Sequence, residues 1–158
     1  MDQESDDFLE TLDSIDQHFY LGGILEANDL ALISRYQITA IISILSQNTK
    51  ITKHPNIKYS RFSIDDLATS DILSIIPKAL VFIKTEIELG GNVLLHCAAG
   101  ISRSASVAVA YFMVVYEMPY ELALEKVRNS RNCVCPNLGF ERQLRNMDIK
   151  ALQEFIRG

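Results

Sequence analysis

The sequence is short of cysteine and of basic side chains, and each shortage excludes a class of protein. Three cysteines in 158 residues cannot all pair, and nothing else suggests a disulfide framework, which favours a cytoplasmic or nuclear location. Fifteen Lys and Arg stand against twenty Asp and Glu, giving a net charge of −5. General binding to nucleic acid or to an anionic membrane depends on excess basic charge, so we expect neither partner. Any anion that this chain binds is held at one local site.

Long hydrophobic runs are also missing. The longest uncharged stretches, 89–102 and 104–116, are separated by Arg103 and fall short of the roughly 18–20 residues that cross a bilayer. Residues 1–13 are acidic and lack the basic and apolar segments of a signal or transit peptide, so we expect a flexible N-terminal arm. Residues 14–158 have the length and composition of one globular domain.

Hydrophobic patterning alternates between short apolar strands and longer helices. Strands are predicted at 19–21, 39–45, 58–64 and 92–96. Helices are predicted at 28–34, 71–89, 103–116, 118–129 and 136–155. Pro77 either starts or kinks the second of these helices. The alternation predicts an α/β domain with a central, mostly parallel sheet of about five strands flanked by helices.

One segment, His-Cys-Ala-Ala-Gly-Ile-Ser-Arg-Ser at 96–104, carries most of the chemical information. A loop between an apolar strand and a helix turns several backbone N–H groups toward one point, and the helix adds the positive end of its dipole. Gly100 allows a backbone geometry that a side chain would obstruct. Arg103 offers a planar fork of donors for two phosphoryl oxygens. The predicted result is a cradle for a phosphate dianion, with Cys97 at its floor.

The positive field of this cradle favours a thiolate over a thiol, so we expect Cys97 to be ionised and aimed at phosphorus. Attack by sulfur forms a phosphocysteine and divides hydrolysis into two steps. Ser104 is placed to donate a hydrogen bond to the sulfur as it leaves in the second step. A buried structural cysteine is the ordinary alternative, but it does not account for Cys, Gly and Arg at i, i+3 and i+6.

The pattern His-Cys-x-x-Gly-x-x-Arg-Ser resembles the signature of the cysteine-dependent protein tyrosine phosphatase superfamily, and Ala-Gly-Ile-Ser-Arg-Ser-Ala resembles its dual-specificity branch. The likeness extends over residues 15–155, including Tyr-Leu-Gly at 20–22 and Pro-Asn-Leu-Gly-Phe at 136–140. It implies that residues 14–158 form the catalytic domain of a small, atypical dual-specificity phosphatase with a phosphatase-type fold. The implied substrates are proteins phosphorylated on tyrosine, serine or threonine.

The loop from Cys97 to Arg103, called the phosphate loop below, is the predicted substrate-binding element. The residues expected to bind the phosphoryl group are Ala98, Ala99, Gly100, Ile101, Ser102 and Arg103. No metal or cofactor is implied, because the backbone amides and Arg103 supply the charge compensation that a metal would otherwise provide.

A phosphatase of this kind also needs an acid that protonates the leaving oxygen and then activates water. In the family it is an aspartate on a mobile loop after the strand that precedes the long helix, where this chain has Asp65 and Asp66. The family spacing places an apolar residue six positions after the acid. Asp66 followed by Ile72 satisfies that spacing and Asp65 does not, so we prefer Asp66. We expect Asp71 to cap the following helix.

Three further residues are expected to support the phosphate loop. His96 either fixes the loop by hydrogen bonds or tunes the thiolate, and both roles are compatible. Ser102 is expected to stabilise the loop through its hydroxyl. Asn137, by resemblance, braces the loop from the last helix, although a simple helix cap explains this residue equally well.

Several alternatives stay open. The chain is an active protein phosphatase, a phospho-binding pseudophosphatase or scaffold, or a phosphatase of a non-protein phosphoester. Neutral residues inside the phosphate loop disfavour lipid phosphatases and RNA triphosphatases, whose loops tend to carry basic residues or histidine. Cys133 and Cys135 are too few for a structural zinc site, although one of them could form a protective disulfide with Cys97. A monomer is the favoured oligomeric state.

Overall fold

Five short segments pair into one sheet in the computed structural model, which describes residues 11–158. The strands are β1 (Asp13–Asp16), β2 (Phe19–Gly22), β3 (Ala40–Leu45), β4 (Lys58–Ser63) and β5 (Val93–His96). Their order across the sheet is β1-β2-β5-β3-β4, with β1 antiparallel to β2 and every other pair parallel. β3 is buried along its whole length, as a parallel strand covered on both faces should be. The predicted mostly parallel sheet is confirmed.

Helices connect the strands and cover both faces of the sheet. They are α1 (Ile24–Ala27), α2 (Leu30–Arg35), α3 (Ile76–Glu88), α4 (Arg103–Val115), α5 (Tyr120–Ser130), α6 (Leu138–Arg145) and α7 (Ile149–Arg157). Side chains alternate between the two faces of a strand, so Ile42 and Leu95 pack with α3 and α4, whereas Ile41 and Leu94 pack with α2. Within residues 11–158, no helix is long and apolar enough to span a membrane.

The direction of the strands decides where the site forms. Because β2, β3, β4 and β5 run parallel, their carboxyl ends lie at one edge of the sheet. Ligand sites of open α/β sheets form beyond this edge. Cys97 directly follows β5, and Asp65 and Asp66 follow β4 by two and three residues, so the predicted nucleophile and both candidate acids are carried to the same edge.

The start of α3 settles the alternatives for Pro77, because α3 begins one residue before this proline, which therefore starts the helix and does not kink it. A short 3-10 helix (Ile72–Ser74) precedes α3, and Pro77 lies in the first turn of α3. Proline is tolerated there because the N–H that it lacks would have no partner inside the helix. Asp71 caps this 3-10 helix, its Oδ1 accepting from Ser74 N–H at 3.3 Å. The prediction that Asp71 caps the long helix itself is wrong, because the N-cap residue of α3 is Ile75.

The prediction of one helix over 136–155 is wrong. α6 ends at Arg145, and α7 begins at Ile149 with Asp148 as its N-cap. The Asp148 carboxylate accepts from Ala151 N–H at 3.0 Å, which satisfies a donor that the helix cannot pair internally. The break turns α7 back onto α3 and α4, which lets its apolar side chains Leu152 and Ile156 pack against the main core.

The boundary of the predicted N-terminal arm also needs a correction. Residues 1–10 lie outside the described residues, but Leu12 is buried and Asp13 begins β1 opposite Leu21. Asp13 and Arg131 form an ion pair at 2.9 Å. β1 was not predicted, because its sequence Asp-Ser-Ile-Asp offers a single buried apolar residue, Ile15.

Candidate active site

Cys97 lies at the floor of the loop between β5 and α4. The residue is 3% exposed. Gly100 N–H donates to Cys97 Sγ at 3.2 Å, and the Ser104 hydroxyl lies 3.0 Å from the same sulfur. Donors aimed at one sulfur suit a group that carries negative charge. The structure therefore brings Cys97 and Ser104 together as the sequence predicts.

Arg131, just after α5, holds the phosphate loop from outside. Its guanidinium donates to the carbonyl oxygen of Ala99 at 2.8 Å and to that of Gly100 at 2.9 Å. A third nitrogen pairs with Asp13 at 2.9 Å, and Glu26 lies 4.0 Å away. A planar fork of donors matches this arrangement of fixed acceptors. Arg131 thus ties the phosphate loop to β1 and to α1.

Two backbone contacts complete the outer side of the phosphate loop. Ile24 N–H, at the start of α1, donates to the Ala98 carbonyl at 3.0 Å, and Cys135 N–H donates to the Ile101 carbonyl at 2.7 Å. With the two carbonyls held by Arg131, four successive carbonyl groups accept from outside the loop. Because the N–H and C=O of a peptide unit point in opposite directions, the N–H groups that follow these carbonyls face the interior of the loop. This orientation makes the loop a cradle for an anion.

Gly100 is required by its conformation and by its neighbours. Its φ of +70° lies in the left-handed region, which disfavours residues with a side chain. A Cβ built on Gly100 would lie 2.7 Å from the Gly22 carbonyl oxygen and 2.7 Å from Arg131 Nη2. The glycine therefore permits both the turn of the loop and its close packing against the end of β2.

Arg103 opens α4 and reaches the ends of β3 and β4. Its Nη1 donates to the Ile64 carbonyl at 3.1 Å and to the Ser46 hydroxyl at 3.2 Å. Its Nε is buried and has no hydrogen-bond partner within residues 11–158. A buried guanidinium nitrogen ordinarily has an acceptor. An oxyanion bound in the phosphate loop is the acceptor that this arrangement suits.

His96 fixes the carbonyl group of Cys97. The register of β3 and β5 places Ser43 opposite His96, with the Ser43 hydroxyl 2.6 Å from Nε2 and the Cys97 carbonyl oxygen 3.0 Å from Nδ1. Burial lowers the pKa of His96 to about 4, so the ring is neutral near pH 7. A carbonyl oxygen can only accept, hence Nδ1 carries the proton and Nε2 accepts from the Ser43 hydroxyl. This geometry supports the predicted loop-fixing role.

Asp66 lies in the exposed segment after β4, called the acid loop below (residues 65–71). Its Oδ1 accepts from Asn137 Nδ2 at 2.9 Å. The backbone N–H of Asn137 donates to the Ser102 hydroxyl at 3.0 Å, and Asn137 Oδ1 accepts from Phe140 N–H at 2.9 Å. Asn137 is therefore a helix cap and a brace at once. It connects the preferred acid to the phosphate loop through two direct hydrogen bonds.

The remainder of the acid loop is docked on α6. A Cβ at Gly139 would collide with the Ala68 carbonyl group, so only glycine permits this approach of helix and loop. Gln143 accepts from Ile72 N–H at 2.9 Å through Oε1 and donates to the Ser70 carbonyl at 2.9 Å through Nε2. α6 consequently positions the whole segment that carries Asp66.

The surroundings of the two adjacent aspartates differ. Asp65 takes part in a turn, in which its backbone carbonyl accepts from Leu67 N–H at 2.9 Å. Asp66 is the aspartate whose carboxylate is bonded to Asn137. This difference favours Asp66 as the acid, and the assignment stays a prediction.

The second and third cysteines are free thiols in the segment between α5 and α6. Cys133 and Cys135 are exposed, and the backbone of Cys135 is bonded to Ile101. Disulfide formation between either thiol and Cys97 stays a prediction.

Sequence reasoning missed two positioning residues, Arg131 and Gln143. The hydrogen bonds of Arg131 reach a loop 31 and 32 residues earlier in the chain, and those of Gln143 reach residues 71 and 73 positions earlier. No local pattern marks contacts over such separations. Variation of one position together with its distant partner among homologues is the signal that would have revealed them.

Residues 19–150 match the family described as the dual specificity phosphatase catalytic domain. The matched segment contains the phosphate loop, Asp66 and Asn137. A probable dual specificity protein phosphatase of Dictyostelium discoideum is 35% identical over 136 residues, which cover 86% of this chain and 62% of that protein. The chain thus spans less than two thirds of that relative's length.

Two solved structures share the architecture. The crystal structure of DUSP15 superposes with a TM-score of 0.87 at 31% identity, covering 94% of this chain and 94% of that one. A human tyrosine phosphatase-like serine/threonine/tyrosine-interacting protein superposes with a TM-score of 0.82 at 32% identity, covering 87% of this chain and 95% of that one. The overall fold of this chain is therefore shared with both of these proteins.

Proposed function

This chain belongs to the dual specificity phosphatase catalytic domain family, and on that premise we propose that it removes phosphate from tyrosine, serine and threonine residues of proteins through a phosphocysteine. The observation that carries the proposal is the setting of the Cys97 sulfur. Gly100 N–H and the Ser104 hydroxyl lie 3.2 and 3.0 Å from it, inside a loop whose carbonyls are bonded outward. A cysteine that only filled the core would need neither donor.

In the first step the Cys97 thiolate attacks phosphorus and the bond from phosphorus to the ester oxygen breaks. The inward N–H groups of the phosphate loop and the Arg103 guanidinium stabilise the equatorial oxygens as charge builds on them. Asp66 donates its proton to the leaving oxygen, so the substrate departs as a neutral alcohol or phenol. The products of this step are the dephosphorylated protein and phosphocysteine.

In the second step water attacks the phosphorus of the phosphocysteine. The Asp66 carboxylate, left ionised by the first step, takes a proton from that water. The bond between sulfur and phosphorus breaks, and the Ser104 hydroxyl donates to the departing sulfur at the 3.0 Å contact already present. Inorganic phosphate is released, and Cys97 returns to the thiolate.

Phosphorylated protein is the substrate class that the site favours. The side chains of Ala98, Ala99 and Ile101 are uncharged and provide no additional cation for a second phosphate group of a lipid or polyphosphate. The similar Dictyostelium protein is described as a probable dual specificity protein phosphatase. We therefore prefer a monoester on a protein side chain to a non-protein phosphoester.

The decisive variant is Cys97→Ser. The wild-type chain should release p-nitrophenol from p-nitrophenyl phosphate and, under rapid quench, show an adduct of about 80 Da, the mass of the PO3 unit held on sulfur. Cys97→Ser should abolish both signals yet still capture phosphoproteins, because the cradle keeps its N–H donors. Cys133→Ser, at an exposed free thiol, is the matched control and should keep the wild-type rate.

A second function, phosphoprotein binding without turnover, is favoured by one comparison. A similar structure is described as a tyrosine phosphatase-like serine/threonine/tyrosine-interacting protein. A phosphate-binding loop could serve such a role in this chain as well. Phosphoprotein capture by the wild type, with no release of p-nitrophenol and no adduct, would establish this alternative and refute the phosphatase proposal.

A further inference from the structure

Three exposed apolar residues belong to the segments that form the candidate active site. Leu67 in the acid loop is 56% exposed, Ile101 in the phosphate loop 39%, and Leu138 at the start of α6 74%. We call these three residues the apolar rim. Single exposed leucines are ordinary on a protein surface, so exposure alone does not distinguish these three residues from others.

Hydrogen bonds between neighbouring residues hold the three members together. Asp66 accepts from the side chain of Asn137 at 2.9 Å, and the backbone N–H of Asn137 donates to the Ser102 hydroxyl at 3.0 Å. Leu67 directly follows Asp66, Leu138 directly follows Asn137, and Ile101 directly precedes Ser102. The three apolar residues are therefore brought to one place by the same contacts that position the acid.

A close approach of two backbones draws two rim members together. Gly139 packs against the Ala68 carbonyl group so tightly that a Cβ would collide with it. Leu138 precedes Gly139 and Leu67 precedes Ala68, so the side chains of both leucines branch from a single tight contact. Ile101 belongs to the phosphate loop itself, so one member of the apolar rim is part of the segment that forms the cradle.

We propose that the apolar rim selects phosphoproteins whose residues next to the phosphorylated side chain are apolar. The inference rests on the proposed function, because an ester bound above Cys97 is what brings the flanking residues of a substrate to the rim. Apolar flanking side chains lose contact with water on the rim, and this is favourable without any directional bond. No member of the rim is charged, so acidic or basic flanking residues find no ionic partner in it.

Other exposed leucines provide matched controls. Leu89 is 69% exposed and directly follows α3, before β5 begins, at the edge of the sheet opposite the phosphate loop. Leu122 is 54% exposed on α5. Both resemble the rim leucines in size and exposure, and neither neighbours a residue of the candidate site.

The test compares phosphopeptides that share one phosphorylated residue and differ in its neighbours: Leu and Phe, Ser and Gly, Glu, or Lys. For the wild type, kcat/KM should be about tenfold higher with apolar than with small polar flanks, the scale of discrimination that one apolar contact supplies. In Leu138→Asn and in Leu67→Asn this ratio should fall toward one. It should stay at the wild-type value in Leu89→Asn and Leu122→Asn.

The outcomes separate this inference from the proposed function. If the wild type leaves p-nitrophenyl phosphate uncleaved, the proposed function fails and the inference fails with it. If it cleaves that ester but the peptide ratio is near one, or if the charged flanks are preferred, the inference alone is overturned. An equal loss of selectivity in Leu89→Asn would also overturn it. Melting curves identify any variant that fails to fold. The ratio of kcat/KM for the wild type and for the remaining rim variant then tests the inference.

Discussion

The phosphate loop and the acid loop lie at one edge of the sheet but are built in opposite ways. In the phosphate loop Cys97 is 3% exposed, and the adjoining Ser104 is fully buried. Its carbonyls are bonded from three directions, by Arg131, by the start of α1 and by the segment before α6. In the acid loop Asp66 is exposed, and its carboxylate is positioned by one amide group, that of Asn137.

The difference follows from what each loop must do. Stabilising a dianion requires dipoles that are already oriented, because reorienting them during the reaction would cost free energy. A proton donor must exchange protons with water between two steps, and the product must leave past it. The phosphate loop therefore needs to be rigid, and the acid loop needs to be exposed to solvent. The following substitutions separate these requirements.

Among the substitutions that compare the two loops, replacement of the acid should lower turnover most. Asp66→Asn cannot protonate the leaving oxygen, so kcat on a phosphothreonine peptide should fall by about 10²–10⁴-fold. Asp65→Asn is the matched control and should change kcat little. Steady-state rates across pH check the assignment, since Asp66→Asn should also remove one limb of a bell-shaped profile. A greater loss in Asp65→Asn would move the acid to Asp65.

Rigidity of the phosphate loop is tested by Gly100→Ala. Its φ of +70° and the Gly22 carbonyl oxygen 2.7 Å from the added Cβ force the loop to shift, and a displacement near 1 Å lowers kcat/KM about a hundredfold. Gly90→Ala is the matched control, with a φ of +87° and no atom within 4 Å of the Cβ. It should lose about 1–2 kcal/mol of stability from backbone strain and keep its turnover. Equal turnover in the two variants would contradict the requirement for a rigid cradle.

The connection between the two loops is tested at two helix caps. Asn137→Ala and Asp148→Ala each remove a side-chain cap and should each lower stability by about 1 kcal/mol. Asn137→Ala also frees the Asp66 carboxylate, and loss of a hydrogen bond to a charged group predicts about a tenfold lower kcat. Asp148→Ala should keep kcat. Urea unfolding and steady-state kinetics on both variants measure the two effects separately.

The smallest effect concerns the buried ring behind the phosphate loop. Because burial lowers the pKa of His96 from 6.5 to about 4, the unfolded chain binds more protons between these values and stability rises with pH across that window. From pH 7 to 5.5 this histidine should remove about 1 kcal/mol of stability. His96→Gln cannot titrate, so its stability should fall less over the same interval. Urea midpoints at the two pH values, with His18→Gln as an exposed control, measure the difference.

Prediction from sequence succeeded where the residues that define a feature are contiguous in the chain. Residues 96–104 contain the nucleophile, the required glycine, the arginine and the serine beside the sulfur, so strand, turn and helix signals all fall within one short window. The buried strand β3 was recognisable because it is apolar at every position but one, Ser43. That exception proves to be the partner of His96, which only the pairing of β3 with β5 reveals.

Prediction failed at two local features, β1 and the break between α6 and α7, and at one contact between distant parts of the chain. β1 is polar in sequence and becomes a strand because β2 provides its partner. The break between α6 and α7 was missed, although Asp148 is a favourable cap, because the apolar spacing continues across it. Arg131 lies 118 residues from its ionic partner Asp13, a separation at which no periodicity or motif carries information.

The amino-acid order alone was sufficient to specify the reactive groups and the α/β fold class. Both depend on short-range properties of the chain, namely a catalytic turn within a few residues and the periodic spacing of apolar side chains. Only the folded chain settled three relations: which aspartate is bonded to Asn137, which arginine holds the carbonyls outward, and which leucines lie beside the cradle. The reason is physical: these relations are distances between segments that meet only after parallel strands align their ends and α6 docks on the acid loop.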